Sequence, residues 1–158
     1  MTDEEIYKEI KKYFCIQEFV NKKTYDKYGE GAWQFMCPRL LHTILIIRTT
    51  LDKKITINSW KWGGKLSQRG LRTNLGQIVL KMVKRGKLYL SAHIMGRAVD
   101  FDVEGMSAED VRMWIVKNEK LFPYKIRLEH IMNGKPVNWV HIDVFWNKKN
   151  KHIYLFNI

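Results

Sequence analysis

The sequence predicts an α+β fold, a small antiparallel sheet with helices packed on one side. Three observations lead there. Apolar residues in the first third recur at helical steps, whereas those in the last third alternate at the strand period. The 158 residues, 46% of them hydrophobic, suffice for one core and are too few for two ordinary domains. Residues 1–158 are therefore expected to form a single domain, with an N-terminal helical segment over 1–36 and the rest of the core over 37–158.

The first helix is announced by Thr2 as a cap, acidic residues at positions 3–5, and Ile6, Ile10 and Phe14 at four-residue steps. Gly29-Glu30-Gly31 breaks the chain. From Pro38, a good first-turn residue, Leu40, Leu41, Ile44, Leu45, Ile47 and Leu51 keep one helical face apolar, which marks the main core helix. His42 lies beside that face and reads as a structural or surface histidine. Ile55 to Asn58 alternates like a strand and runs into the turn forced by Gly63-Gly64, and Ser67 to Asn74 is a polar loop carrying Arg69 and Arg72. Ile78 to Val83 is a short helix. Val99 to Val103 is a strand with Asp100 and Asp102 on one face. Ser107, followed by Glu109 and Asp110, caps a helix whose Val111, Trp114 and Ile115 look inward, and which ends before Pro123. Alternation over 126–129 and 139–144 around Asn133-Gly134 predicts a β-hairpin, and Ile153 to Phe156 adds a third strand after the turn at 147–150.

Composition excludes several classes. The 13% aromatic content, with six Trp, argues against disorder. Two cysteines, Cys15 and Cys37, are too few and too far apart for a disulfide framework or a metal knuckle, so buried free thiols are expected. No apolar run reaches the roughly 18 residues of a membrane span, and the start of the chain lacks the basic and apolar segments of a secretory leader. Synthesis in the cytoplasm is the expectation. A formal charge of +12 draws the protein toward polyanions such as nucleic acid or an anionic cell wall, although the cations recur along the whole chain and suit a solvated basic surface.

Two segments carry metal-site chemistry. Ser91-Ala92-His93-Ile94-Met95-Gly96-Arg97-Ala98-Val99-Asp100 and Trp139-Val140-His141-Ile142-Asp143 together supply two imidazoles and a carboxylate. Zinc is well held by that donor set, and three protein ligands leave its fourth tetrahedral position open for water. Zn2+ bound by His93, Asp100 and His141 is the expectation, with hydrolysis of an amide as the natural reaction. Gly96 allows the chain to turn between the loop histidine and the strand carboxylate, because glycine tolerates positive φ.

The spacing Ser-x-His-x-x-Gly-x-Ala-x-Asp, present as Ser91, His93, Gly96, Ala98 and Asp100, resembles the M15-type zinc peptidases, which include D-Ala-D-Ala carboxypeptidases, D,D-dipeptidases and phage L-alanyl-D-glutamate endolysins. Trp139-Val140-His141 resembles the family's later zinc histidine. The resemblance covers about residues 44–146. It implies a hedgehog-like α+β fold, with 37–158 as the catalytic core, and a zinc metallopeptidase acting on the stem peptide of peptidoglycan. Without a leader or wall-anchoring module, that implies a phage or prophage hydrolase released to the wall or periplasm, or carried in a virion. A monomer with no specific nucleic-acid partner is expected.

Two departures from the family pattern change the residue roles. Asn138 stands three residues before His141, where many relatives place the catalytic acid, and it cannot accept a proton. If the hairpin pairs Glu129 with His141 and Arg127 with Asp143, all four project from one face, and Glu129 becomes the general base. Lys61 stands where relatives commonly have an arginine, and lysine offers charge without the bidentate fork. Arg69 and Arg72 compete with Lys61 to grip a substrate carboxylate. Asp143 is expected to orient His141 or Arg127 rather than to bind metal, and Trp60, Trp62 and Trp139 are candidates for the cleft wall or the core. Two other readings fit the same residues. One is a catalytically impaired domain of this type with a structural or virion-associated binding role, which Asn138 favours; the other is a nucleic-acid-binding domain.

Overall fold

The computed structural model describes residues 1–158, and its elements are α+β. Helix α1 (Asp3–Ile10) starts in a capping box: Thr2 Oγ1 accepts from the Glu5 backbone and Glu5 Oε2 accepts from the Thr2 backbone. The helix ends one turn earlier than the Phe14 spacing suggests, but Phe14 is still buried beyond it. Asn21 caps α2 (Lys22–Tyr28), a helix with only Thr24 buried and so no apolar periodicity to announce it. Helix α3 (Pro38–Leu51) buries Leu40, Leu41, Ile44 and Ile47 completely, each worth about 1.5–3 kcal/mol in transfer free energy. The short α4 (Gln77–Lys84) precedes the metal motif, and α5 (Ala108–Lys117) begins at the Ser107 cap.

Five strands follow the order β1-β2-β4-β3-β5. They are β1 (Ile55–Thr56), β2 (Ala98–Val103), β3 (Ile126–Met132), β4 (Lys135–Asp143) and β5 (Ile153–Asn157). The β3–β4 hairpin turns at Asn133-Gly134, where both residues have positive φ, 51° and 75°, as a primed two-residue turn requires. Its register pairs Arg127 with Asp143 and Glu129 with His141.

The sheet is mixed rather than wholly antiparallel. After β4 the nine residues 144–152 return to the start of β3, and β5 enters beside Ile126 and runs parallel to β3. Alternation at 153–156 reports a strand but carries no information about direction. The expected strand over 55–58 shrinks to β1, because Asn58 turns inward, donating to Val20 O and accepting from the Arg69 backbone.

Period two divides the sheet's faces. Val99, Phe101, Leu128, Val140 and Ile142 join α1, α3 and α5 in one core of 27 buried residues that also takes in Phe14, Phe19 and Trp33 from the N-terminal segment. The alternate positions Asp100, Asp102, Arg127, Glu129, His141 and Asp143 fall on the opposite face, so one face of the sheet serves packing and the other the site.

Candidate metal centre

Asp100 from β2 and His141 from β4 are direct cross-strand partners. The ladder alone therefore brings a carboxylate and an imidazole together. His93 arrives from the loop before β2, and that loop is held by close backbone approaches. Gly96 has φ of +62°, its carbonyl accepts from the Cys37 backbone at 2.9 Å, and a Cβ there would stand 1.8 Å from Phe35 O. Only glycine fits.

Three donor atoms converge. His93 Nε2 is 3.4 Å from Asp100 Oδ1, His141 Nδ1 is 2.7 Å from the same oxygen, and all three lie within 4.8 Å of one another. Zinc bonds of about 2.0–2.1 Å in a tetrahedron set ligand atoms about 3.3 Å apart, close to the His93–Asp100 separation and longer than the His141–Asp100 one. His93, Asp100 and His141 are all buried, and the group could hold a metal ion.

The surrounding contacts hold the donors in the orientation such a role needs. His93 Nδ1 donates to Gly70 O at 2.9 Å, which leaves Nε2 facing the cluster as an acceptor. His141 Nε2 lies 3.0 Å from Asp143 Oδ2 and directs Nδ1 inward. Asp143 is fully buried, takes both arms of Arg127 at 2.7 and 2.9 Å, and accepts from the Phe145 backbone. It is thus the orienting residue behind His141. Asp100 keeps Oδ1 for the histidines and gives Oδ2 to Arg72 at 3.2 Å.

Electrostatics follow from these pairs. Burial pushes the His93 imidazole down. Burial acts on His141 in the same sense, but the hydrogen bonds to Asp100 and Asp143 prevail and raise it to about 9. Asp100 and Asp143 would be raised by burial, yet the hydrogen bonds from their histidine and arginine partners hold both below the usual carboxylate range. Without a metal, His141 is an imidazolium clamped between two carboxylates.

A cleft of about 540 Å³ opens over the cluster, with Arg72, Tyr89, Arg127, Glu129 and Trp139 among its walls. Glu129 is 6% exposed, and its Oε1 is buried without a hydrogen-bond partner. Burial raises its carboxyl, partly offset by the positive His141 opposite. An orphaned buried carboxylate oxygen beside three convergent donors departs from the usual pairing of buried polar atoms.

The other expected residues divide. Arg72 is in the cleft, where it also donates to Tyr89 Oη at 2.8 Å. Arg69 lies outside the cleft lining and pairs with Asp102 on the same sheet face. Lys61 is exposed over the Trp62 ring and is not part of the cleft. Trp139 lines the cleft, whereas Trp60 bonds Val20 O through Nε1 and Trp62 is 63% exposed. Asn138 is exposed and borders a separate depression with Val137 and Arg112. Residues three apart on a strand face opposite sides, so Asn138 and His141 do not share a site. His42 meets Tyr124, and His152 meets Phe122 O.

Four contributors carry no spacing signal. Tyr89 steadies Arg72, while Phe145 and Phe156 flank Arg127, with ring centroids 5.5 and 4.9 Å from its guanidinium. Arg112, 1% exposed, reaches from α5 to the carbonyls of Val137 and Trp139 at 2.9 and 3.0 Å. Its place beside Val111 on the inward face of α5 is the one hint the sequence offers. Comparison with known proteins yields no match, whether to a family model, a curated protein or a solved structure.

Proposed function

We propose that the protein is a zinc metallopeptidase that hydrolyses the stem peptide of peptidoglycan, with His93, Asp100 and His141 as ligands and Glu129 as general base. The observation that carries this reading is the buried, partnerless Glu129 carboxylate across the hairpin from His141, beside three donors suited to zinc. The resemblance of the two motifs to M15-type peptidases supplies the substrate class, including the phage or prophage setting and action at the bacterial wall.

Two imidazoles and one carboxylate favour zinc over the harder magnesium and calcium, which prefer all-oxygen shells. Bound there, zinc would supply Lewis-acid polarisation of the scissile carbonyl and acidify a water molecule. Glu129 would accept the proton of an attacking water and return it to the leaving amine, and a carboxyl raised by burial is better matched to both transfers at neutral pH. Asp143 holds the His141 ring so that Nδ1 faces Asp100, the orientation in which it would hold the ion. Arg72 fixes the second oxygen of Asp100 and puts positive charge on the cleft wall, where a substrate carboxylate would sit. Lys61 and Arg69 have no part in this reading.

Turbidity loss of purified walls, followed by mass analysis of the released peptides, tests the reaction. Glu129→Gln should keep its zinc and lose about 10²–10⁴-fold in turnover, the range for a general base. Full activity in that variant would remove Glu129 from the mechanism. Absence of any cut stem peptide with the zinc-loaded native chain would remove the substrate.

A further inference from the structure

The chain's cations are distributed throughout, but its uncompensated charge is not. Residues 53–99 contain 11 Lys and Arg and no Asp or Glu, which leaves 17 cations against 16 acids for the rest of the chain. Helix α4 lies in that acid-free stretch. Its apolar residues Ile78, Val79, Leu80, Met82 and Val83 cover more than half its circumference, with Gln77, Lys81 and Lys84 on the remainder. The fold uses only the middle of that arc, since Val79 alone is buried. Ile78, Leu80 and Val83 are 38, 39 and 56% exposed, and Leu75, Leu88 and Leu90 on either side are 55, 84 and 66% exposed. No other helix or strand packs broadly against α4. Single exposed aliphatic residues are ordinary, but six within residues 75–90, interleaved with Lys81, Lys84, Arg85 and Lys87, are not.

We infer that residues 75–90 dock on the surface of an anionic phospholipid bilayer, with the aliphatic side chains at the acyl boundary and the four cations on headgroup phosphates. Charge complementarity selects an anionic partner. The exposed leucines select lipid among anionic partners, because a hydrophilic polyanion gives aliphatic surface no escape from water. Like charge weighs against a second copy of the chain, since a two-fold contact would press two acid-free cationic segments together. Docking is peripheral, as no helix is long and apolar enough to cross a membrane. Tyr89 and Leu90 at the end of the segment also border the metal cleft, so the surface and the site are neighbours.

Co-sedimentation of the full chain with vesicles tests this independently of the metal chemistry. The protein should sediment with vesicles of phosphatidylcholine and phosphatidylglycerol, and remain in solution with phosphatidylcholine alone. The triple variant Leu80→Ser, Val83→Ser, Leu88→Ser, none of which lines the cleft, should bind the anionic vesicles on the order of tenfold more weakly with its melting temperature unchanged. If that variant does not fold, Lys81→Gln with Lys84→Gln, Arg85→Gln and Lys87→Gln reads the same surface, and the same loss is expected. Three results overturn the inference: no binding of the native chain to anionic vesicles, equal binding by native and variant chains, or a dimer in sedimentation velocity that the aliphatic substitutions dissolve.

Discussion

His141 sits between Asp100 and Asp143, and this arrangement makes the metal-free protein depend on pH in a defined way. The imidazole titrates near 6.5 when unfolded and at about 9 when folded. A raised pKa stabilises the fold fully below pH 6.5, and that contribution fades as pH climbs through 9. Asp100 and Asp143 shift the other way, so their contribution holds above about pH 4 and fades in acid. Thermal melts in chelator should therefore fall between pH 6.5 and 9, by on the order of 2–3 kcal/mol of stability. Saturating zinc should flatten that limb, because a ligating imidazole has already lost the proton. Equal alkaline slopes with chelator and with zinc would place the ion elsewhere. The three candidate donors and Glu129 are legible in sequence because motif spacing and strand parity are both local patterns. Tyr89 and Arg72 meet across 17 residues of loop and short helix, and no periodicity relates them.

Elements carry these residues into register, and two positions bear that load. Arg112 satisfies two β4 carbonyls just where the β3–β4 ladder shifts between Glu129 and Ile131. Arg112→Ala should cost about 3 kcal/mol in urea unfolding, since both carbonyls lose a charged donor, with Arg112→Lys recovering part of it. A cost below about 0.5 kcal/mol would show that water replaces the guanidinium. Gly96→Ala combines positive φ with a collision against Phe35 O, and should destabilise by more than about 2 kcal/mol in the same assay. Near-native stability would mean that the loop carrying His93 is not built on that contact. The hairpin was readable from Asn133-Gly134 and its flanking alternation. The parallel entry of β5 was not, because a strand's direction is set by where the loop over 144–152 returns, and side-chain alternation is the same in both senses. Helix α2 was missed for a related reason: with one buried residue, its capping carries more information than its pattern.

At the scale of the whole molecule, the site is a cost that a ligand would offset. Two carboxylates, two histidines and Glu129 are buried on one face of a sheet whose other face is core, and buried charge is tolerated when paired or metal-bound. Zinc binding only the folded chain should raise stability by about 4 kcal/mol at a thousandfold excess over its dissociation constant. Titration calorimetry with zinc on the chelator-stripped chain, paired with elemental analysis of the dialysed product, tests zinc binding at this site directly. One zinc per chain should bind, with proton release near neutral pH, and both should be lost in His93→Ala. No retained zinc in the native chain, or an unchanged stoichiometry in His93→Ala, would contradict it.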